Sequence, residues 1–302
     1  PVASDPDFFW LGNASTNTEG NAGKSISLST KGNITTKGTG SQAIIAQSIG
    51  GGGGVLGDIT PNKVGKSAAL LGSQGPQGFN KKDTSAAWNT DWKKIMDDKV
   101  AGNSDYFRLL GNLDEVDAMI IKNKSFGIGG GGNASSIDLT INAEQYLTQG
   151  DNSSVVLAQS IGDGGGWVLL DQGNNYSFLG SIQSNGGKGG AVTITSQANL
   201  FSLGINSPAM VAQSIGGGGG ATGDSQKFSR VGTLKGQGDN SAGDVTIQHT
   251  GNISTKGIYS SGLLAQSIGG GGGLVGIVSG AVSVGSIQSI ASQASTSGKI
   301  DV

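Results

Sequence analysis

Short stretches in which apolar and polar residues alternate recur along the chain, and each is typical of a β-strand with one buried face. The clearest of these stretches cover residues 23–28, 136–141, 191–195 and 243–247. A Gly-Asn pair follows the first and the last of them, at residues 32–33 and 251–252. Both residue types tolerate positive φ and therefore suit tight turns. The pattern predicts a β-protein built from many short strands.

A second pattern repeats almost without variation. The sequence Ala-Gln-Ser-Ile-Gly begins at Ala46, Ala158, Ala212 and Ala265, each time after two apolar residues and before a run of glycines. An apolar run that glycines close is typical of a buried strand that ends in a turn. The last three copies are 54 and 53 residues apart, which indicates a repeat of about 54 residues. The first two copies are 112 residues apart, so one unit contains roughly 58 additional residues.

Stacked repeat units place equivalent side chains along straight lines. Because strands of five or six residues with short turns give coils of about 20–30 residues, we predict two coils in each unit. At about 4.8 Å per coil, the stack would be roughly 45 Å long. Polar side chains in stacked strands form hydrogen-bonded ladders. The predicted ladders are one of glutamines (Gln47, Gln159, Gln213 and Gln266) and one of serines (Ser48, Ser160, Ser214 and Ser267).

The additional residues have the period of a helix instead of a strand. Trp88 and Trp92 begin a stripe that continues through Ile95, Met96 and Val100, with charged residues on the other side. We predict a helical insertion at residues 65–124, between solenoid parts at residues 1–64 and 125–302. Insertions in repeat proteins often carry the binding face. The candidate ligand-binding residues are therefore Trp88, Trp92, Asp91, Lys94 and Asp98, although the two tryptophans also suit the core of the insertion.

Composition agrees with a solenoid and excludes several function classes. Glycine contributes 57 of the 302 residues, aromatic residues 5% and charged residues 13%, so large side chains cannot fill the core. The net charge is −2 and the sequence has no basic stripe, which argues against nucleic acid as a partner. No apolar run reaches the roughly 20 residues of a membrane-spanning helix, so we predict no membrane insertion. The absence of cysteine excludes disulfides and thiol chemistry.

Candidate chemistry is sparse. His249 is the only histidine, so the sequence has neither a histidine metal cluster nor a Ser-His-Asp triad, and we predict that it is a surface residue. The Gly-Lys-Ser sequences at residues 23–25 and 65–67 lack the first glycine of a phosphate-binding loop. Calcium-binding repeats need an aspartate in every repeat, and Asp163 alone interrupts a glycine run. We therefore predict no catalytic residue, no metal site and no cofactor, and no enzymatic activity.

The full unit, read at residues 243–273, runs from Gly-Asp-Val-Thr-Ile through Gly-Asn-Ile-Ser-Thr-Lys-Gly to Leu-Leu-Ala-Gln-Ser-Ile-Gly and four further glycines. It resembles the passenger repeats of very large bacterial autotransporters, which are type V secreted surface proteins, many of them adhesins. The resemblance covers about residues 8–58 and 125–302. It implies a right-handed parallel β-helix at the bacterial cell surface, exported through an outer-membrane β-barrel of the parent chain. Both ends of the sequence cut through a repeat, so we expect a fragment.

Two function classes follow. The first is a rigid stalk or adhesin that presents the helical subdomain to a host or surface receptor, a glycan or another copy of itself. The alternative is a carbohydrate-active β-helix of the polysaccharide lyase or hydrolase type, because parallel β-helices host such enzymes. Its candidate carboxylates are Asp91, Asp97, Asp98, Asp105, Asp114, Glu115 and Asp117. The stalk is favoured because repetition gives length and stiffness, whereas catalysis needs an unrepeated group of polar residues.

Overall fold

Parallel β-strands account for all the regular structure in the described part of the chain. The computed structural model describes residues 8–11, 22–58, 68–71, 131–171, 176–180, 183–184, 186–225, 228–232, 235–277, 281–285, 288–290 and 295–302. Within these ranges the regular elements are 25 strands, and the pairs that they form are parallel. The described part of the chain is therefore all-β with stacked parallel strands, as predicted.

The strands follow one another in the same order in successive coils. β1 (Phe8–Leu11) precedes coil 1, which contains β2 (Ile26–Lys31), β3 (Ile34–Thr36), β4 (Ile44–Ile49), β5 (Gly53–Asp58) and β6 (Ala68–Leu71). Coil 2 contains β7 (Ile137–Asn142), β8 (Gln145–Thr148), β9 (Val156–Ile161), β10 (Gly165–Asp171), β11 (Tyr176–Leu179) and β12 (Gln183–Ser184). Coil 3 contains β13 (Val192–Ser196), β14 (Asn199–Ser202), β15 (Met210–Ile215), β16 (Gly219–Ser225), β17 (Phe228–Val231) and β18 (Lys235–Gln237). Coil 4 contains β19 (Val245–His249), β20 (Ile253–Thr255), β21 (Leu263–Ile268), β22 (Gly272–Val275), β23 (Ala281–Val284) and β24 (Gln288–Ile290), and β25 (Ile300–Asp301) begins the next coil.

Six parallel sheets run along the stack, and each is built from the strands that occupy one place in successive coils. We number them by that place: sheet 1 (β2, β7, β13, β19, β25), sheet 2 (β3, β8, β14, β20), sheet 3 (β4, β9, β15, β21), sheet 4 (β5, β10, β16, β22), sheet 5 (β1, β6, β11, β17, β23) and sheet 6 (β12, β18, β24). The order of strands in every sheet is their order along the chain. The Gly-Asn pairs therefore connect sheet 1 to sheet 2 and do not close antiparallel hairpins.

The prediction of two coils in each repeat is wrong, because one repeat forms one coil. Ala158 pairs directly with Ala46 on one side and with Ala212 on the other, so residues one repeat apart are neighbours in the same sheet. The five strands of sheet 1 then span four steps of about 4.8 Å, or about 19 Å, which is less than half of the predicted length. The rod is correspondingly wider, with up to six strands in each turn.

A shared wall explains why one coil needs about 54 residues. All six residues of β9 and all six of β15 are buried, so sheet 3 is covered on both faces in the middle of the stack. Val156 and Ala158 face a first core, which sheets 1 and 2 complete. Leu157 faces a second core with Trp167 of sheet 4. Each coil therefore surrounds the first core and then continues over the other face of sheet 3.

The glycine runs allow sheet 4 to stack closely on itself. Gly165 and Gly166 both have φ of 140°, a region that side chains rarely adopt. A Cβ on Gly165 would collide with the Gly219 carbonyl of the next coil, and one on Gly166 would collide with the Gly54 carbonyl of the previous coil. The paired glycines at the start of sheet 4 are therefore required both by the backbone conformation and by the space between coils.

The register of the stack is the same on both sides of the additional residues. Leu71 pairs with Leu179, and Ile137 pairs with Val192. The chain takes 66 residues to pass from Leu71 to Ile137 but only 13 from Leu179 to Val192. Because β6 belongs to sheet 5, the solenoid also extends into the range predicted as the insertion. Residues 72–130, with the predicted helices, lie outside the described residues.

Candidate functional site

The four glutamines named as a ladder lie in one line along sheet 3, on the same face as Leu157. The side-chain nitrogen of each glutamine donates to the side-chain oxygen of the next at 2.6 Å, in the order Gln47, Gln159, Gln213 and Gln266. Gln159 and Gln213 are completely buried. Each of these two amides both donates and accepts within the ladder, which satisfies polar groups that would otherwise be costly beside an apolar core.

The four serines of the same strands also lie in one line, but their hydroxyl groups form hydrogen bonds with the backbone. Ser160 Oγ donates to the Ser135 carbonyl of its own coil at 2.8 Å and accepts from the Gly190 amide of the next coil at 2.8 Å. Ser48 and Ser267 repeat both bonds, and Ser214 accepts from the equivalent amide of the next coil. These serines of sheet 3 bind the segment that precedes sheet 1 in their own coil. They also bind the equivalent segment of the next coil and so link successive coils.

Sequence reasoning missed a second serine line, at the corner between sheets 2 and 3. Each hydroxyl oxygen accepts from the backbone amide of the preceding serine in the line at 2.9 Å, in the order Ser41, Ser153, Ser207 and Ser260. Beside this line, Asn206 Nδ2 donates to Asn152 Oδ1 at 2.7 Å, and both asparagines have positive φ. The signal in the sequence is a serine at the same place in every unit, five residues before the Ala-Gln-Ser-Ile strand in all four copies.

The candidate binding residues of the insertion stay a prediction. Trp88, Trp92, Asp91, Lys94 and Asp98, together with the other candidate carboxylates, all lie outside the described residues. Among the residues that the structure does describe, no three His, Cys, Asp or Glu side chains group in a way that could hold a metal ion. The same residues include no helix of the length and apolarity that crossing a membrane requires.

An open polar groove, here called the corner groove, lies where sheet 1 passes into sheet 2. It encloses about 430 Å³ and is lined by Gly32, Asn33, Asn142, Ala143, Glu144 and Gln197 from coils 1, 2 and 3. Asn33 Oδ1 accepts from the Gln145 amide at 2.9 Å, which anchors the Asn33 side chain to the next coil. Of the described residues that line the groove, only Glu144 has a carboxylate. The paired carboxylates of glycoside hydrolysis are therefore not found among them.

The corner groove owes its shape to one extra residue in coil 2. Four residues separate Ile141 from Tyr146, whereas three separate the residues that pair with them in coil 1 and in coil 3. The extra residue interrupts the repeat at this corner and adds Glu144, which is exposed. This groove is therefore an unrepeated polar feature on an otherwise repetitive wall.

Partly exposed apolar residues lie on the outer face of sheet 2. Leu147 and Phe201 are paired, partly exposed residues on the outer face of β8 and β14. Beyond them lie Leu203 and Ile205, each 38% exposed. Ile258 and Tyr259 are 62% and 69% exposed because coil 4 is the outermost coil of sheet 2 in this chain; Asn152 and Asn206, at the place of Tyr259 in interior coils, are buried.

Among the described residues, the pKa values of Asp239 and His249 depart from their ordinary values. Lys188 Nζ lies 2.7 Å from Asp239 Oδ2, and hydrogen bonds from Lys188 and Ser241 lower the pKa of Asp239 to about 2. His249, predicted as a surface residue, is half-buried: it follows Val245 and Ile247 at alternate positions of β19, and its ring nitrogens are buried. Burial lowers the pKa of the His249 imidazole, since it disfavours the charged form.

Comparisons with known proteins do not identify a family for this chain. No protein-family model, no curated protein and no solved structure matches the chain. The function proposed below therefore depends on the residues and on the geometry of the stack.

Proposed function

We propose that this chain is a rigid stalk of a bacterial surface protein, of the autotransporter passenger type, that presents the segment between Leu71 and Gly131. The observation that carries the proposal is the register of sheet 5. β6 and β11 stay paired although coils 1 and 2 are joined by a far longer connection than coils 2 and 3. A short loop would be enough to connect the two coils. We therefore infer that the stack presents the longer segment to a partner.

The contacts between successive coils make the stack stiff, as a stalk requires. The first core is continuous through all four coils, and the glutamine ladder and both serine lines cross every interface between them. Each coil therefore contacts the next through apolar packing, side-chain ladders and backbone hydrogen bonds at once. We propose a right-handed winding, because connections between parallel strands of one sheet are right-handed in about 98% of cases.

We further propose that the presented segment is helical and binds the partner. In this proposal Trp88 and Trp92 hold it together or contact the ligand, and Asp91, Lys94 and Asp98 point outward. The partner is a host or surface receptor, a glycan or another copy of the chain. The protein acts by adhesion and not by catalysis, at the cell surface, after export through the outer-membrane barrel of its parent chain.

The test is to replace residues 72–130 by a Gly/Ser connection as long as the one between coils 2 and 3. We expect the far-UV circular dichroism of the strands to be retained, because each coil is held by its neighbours. Attachment of cells that display the protein should fall to the background level. A matched control carries the full segment with Gln149→Ala, an exposed change on the stack, and should attach normally. Unchanged attachment by a folded and displayed deletion variant would contradict the proposal.

A further inference from the structure

We propose that His249 makes the stack sensitive to acid at one place, because its protonation opens the corner between sheets 1 and 2 in coil 4. The inference goes beyond the proposed function, since it adds a pH-dependent change to the wall of the stalk and does not involve the segment between Leu71 and Gly131. It rests on the position of the imidazole in the first core, on its covered ring nitrogens and on the residues that occupy the described inward positions around it.

The imidazole of His249 lies at an inward position of sheet 1. Val245 and Ile247 are buried at alternate positions of β19, and His249 follows them at the next one. It pairs with Ser196 of coil 3, which in turn pairs with Ile141 of coil 2, and both of these residues are buried. Coil 4 is the outermost coil of sheet 2 in this chain, yet both ring nitrogens of His249 are buried. The wall of the first core therefore covers the atoms that titrate.

The two ring nitrogens are covered without being bonded. Neither of them meets the geometry of a hydrogen bond with another group. The neutral imidazole has one donor and one acceptor, whereas the protonated ring has two donors and a positive charge. A buried charge is far more costly than a buried neutral polar group. Burial accordingly lowers the pKa of His249, and the nearby backbone of Gly251 opposes only part of this effect.

The described surroundings provide no acid that could stabilise the charged ring. Within the described strands of sheets 1, 2 and 3, no Asp, Glu, Lys or Arg occupies a position directed toward the first core. The other titratable side chain of this core is Tyr146, whose hydroxyl donates to Thr30 Oγ1 at 2.7 Å. Before coil 4, Asp239 forms an ion pair with Lys188. A protonated His249 would therefore be an unpaired charge in the wall of the core. The remaining charged residues of coil 4 and β25 are exposed: Asp244, Lys256, Lys299 and Asp301.

The lowered pKa sets the pH range over which coil 4 loses stability. An opened histidine takes up a proton near pH 6.5, whereas His249 in the closed coil does so only at a lower pH. The opened state therefore binds more protons as the pH falls below about 6.5, and the closed coil loses stability until the lowered pKa is reached. Thr30, Ile141 and Ser196 occupy the equivalent places of coils 1, 2 and 3 and do not titrate in this range. We thus expect coil 4 to open while the other coils stay closed.

The experiment follows the full chain from about pH 7.5 to about pH 5, above the range in which Asp239 titrates. Because His249 is the only histidine, its Cε1 proton gives one NMR signal, which should titrate at a lower pKa than the same histidine in an unfolded peptide. Hydrogen exchange, corrected for the intrinsic effect of pH, should show loss of protection in residues 245–268 and unchanged protection in residues 137–161. For each pH unit between the two measured pKa values, the protection of coil 4 should fall by about tenfold.

Two variants remove the titrating group and guard against a failure to fold. His249→Ile introduces the residue of coil 2 at this place, and His249→Ser introduces the residue of coil 3. Both should abolish the acid-dependent loss of protection in coil 4. Thr246→Ala, on the outer face of the same strand, is the matched control and should lose protection like the parent chain.

Any of three results would overturn the proposal. The first is a His249 signal that titrates at or above the pKa of the peptide. The second is a loss of protection in coil 4 that persists in the folded His249→Ile or His249→Ser variant. The third is a lowered pKa with no loss of protection in coil 4, or with an equal loss in coil 2, because protonation would then not open coil 4. None of these measurements involves residues 72–130, so this proposal and the stalk function fail separately.

Discussion

Replacing a central rung of the glutamine ladder should destabilise the solenoid more than replacing all four rungs. Gln159→Met keeps the length of the side chain but removes one donor and one acceptor. Gln47 Nε2 then loses its acceptor, and Gln213 Oε1 loses its donor. Because Gln213 is completely buried, its oxygen cannot turn to solvent instead.

The size of the effect follows from those two orphaned groups. A buried polar group without its partner costs about 1–3 kcal/mol, and the higher figure applies to the fully covered oxygen of Gln213. The more apolar methionine offsets about 1 kcal/mol by its burial. We expect the free energy of unfolding to fall by about 2–4 kcal/mol in the single variant. Replacing all four glutamines by methionine leaves no polar group orphaned, so that variant should lose less, about 0–2 kcal/mol.

Urea unfolding followed by far-UV circular dichroism measures both values. Gln149→Met is the matched control, because Gln149 is exposed and should change the free energy of unfolding by no more than about 0.5 kcal/mol. The reasoning is refuted if Gln159→Met unfolds at the same urea concentration as Gln149→Met. It is also refuted if the fourfold variant loses about four times as much as the single variant, because the losses would then be additive.

Three further changes probe other parts of the stack. Gly166→Ala should lower the free energy of unfolding, measured in urea, by at least about 3 kcal/mol, since its φ of 140° and the Gly54 carbonyl of the previous coil both exclude a side chain. A decrease below about 1 kcal/mol would contradict this. Gly40→Asn should raise the free energy of unfolding by about 1 kcal/mol, because Gly40 already has positive φ and the new side chain can accept from the buried Asn152 Nδ2, which has no hydrogen-bond partner; an unchanged unfolding midpoint would contradict this. The pKa of Asp239 is lowered to about 2, so its ion pair with Lys188 should add stability above pH 4 that is lost as the pH falls from 4 to 2; Asp239→Asn should remove this part of the acid sensitivity.

Local patterns were enough to predict the strands and the lines of equivalent residues. Alternation at Val245 and Ile247 indicates a strand with one buried face, and sheet 1 has that form. The number of coils in a repeat was not predictable in the same way. A run such as Val156–Ile161 is apolar whether it closes one small core or separates two, and only the pairing of Ala158 with Ala212 decides between them.

The corner groove and His249 were missed for a related reason. The extra residue at the corner that contains Glu144 changes the distance between copies by one, inside an interval of 112 residues that already contains the insertion. Comparison of spacings cannot detect such a change without knowing which residues pair. His249 ends a strand whose inward positions are occupied by Val245 and Ile247, and alternation would have placed it inside. A lone histidine favours the surface by its residue type, whereas its position in the alternation favours the interior.

The pairing of Ala46, Ala158, Ala212 and Ala265 has a consequence for how such a chain changes over generations. A deletion from Gln159 to Ala212 would place Gln213 directly after Ala158 and restore the same strand sequence at the junction. Such a loss, or the matching duplication, changes the number of coils and makes an interface of the same kind. A deletion of half a repeat would instead interrupt all six sheets. Unequal recombination can therefore shorten or lengthen the rod in steps of one coil. The cross-section stays the same, because each strand of a coil must pair with the equivalent strand of the adjacent coil.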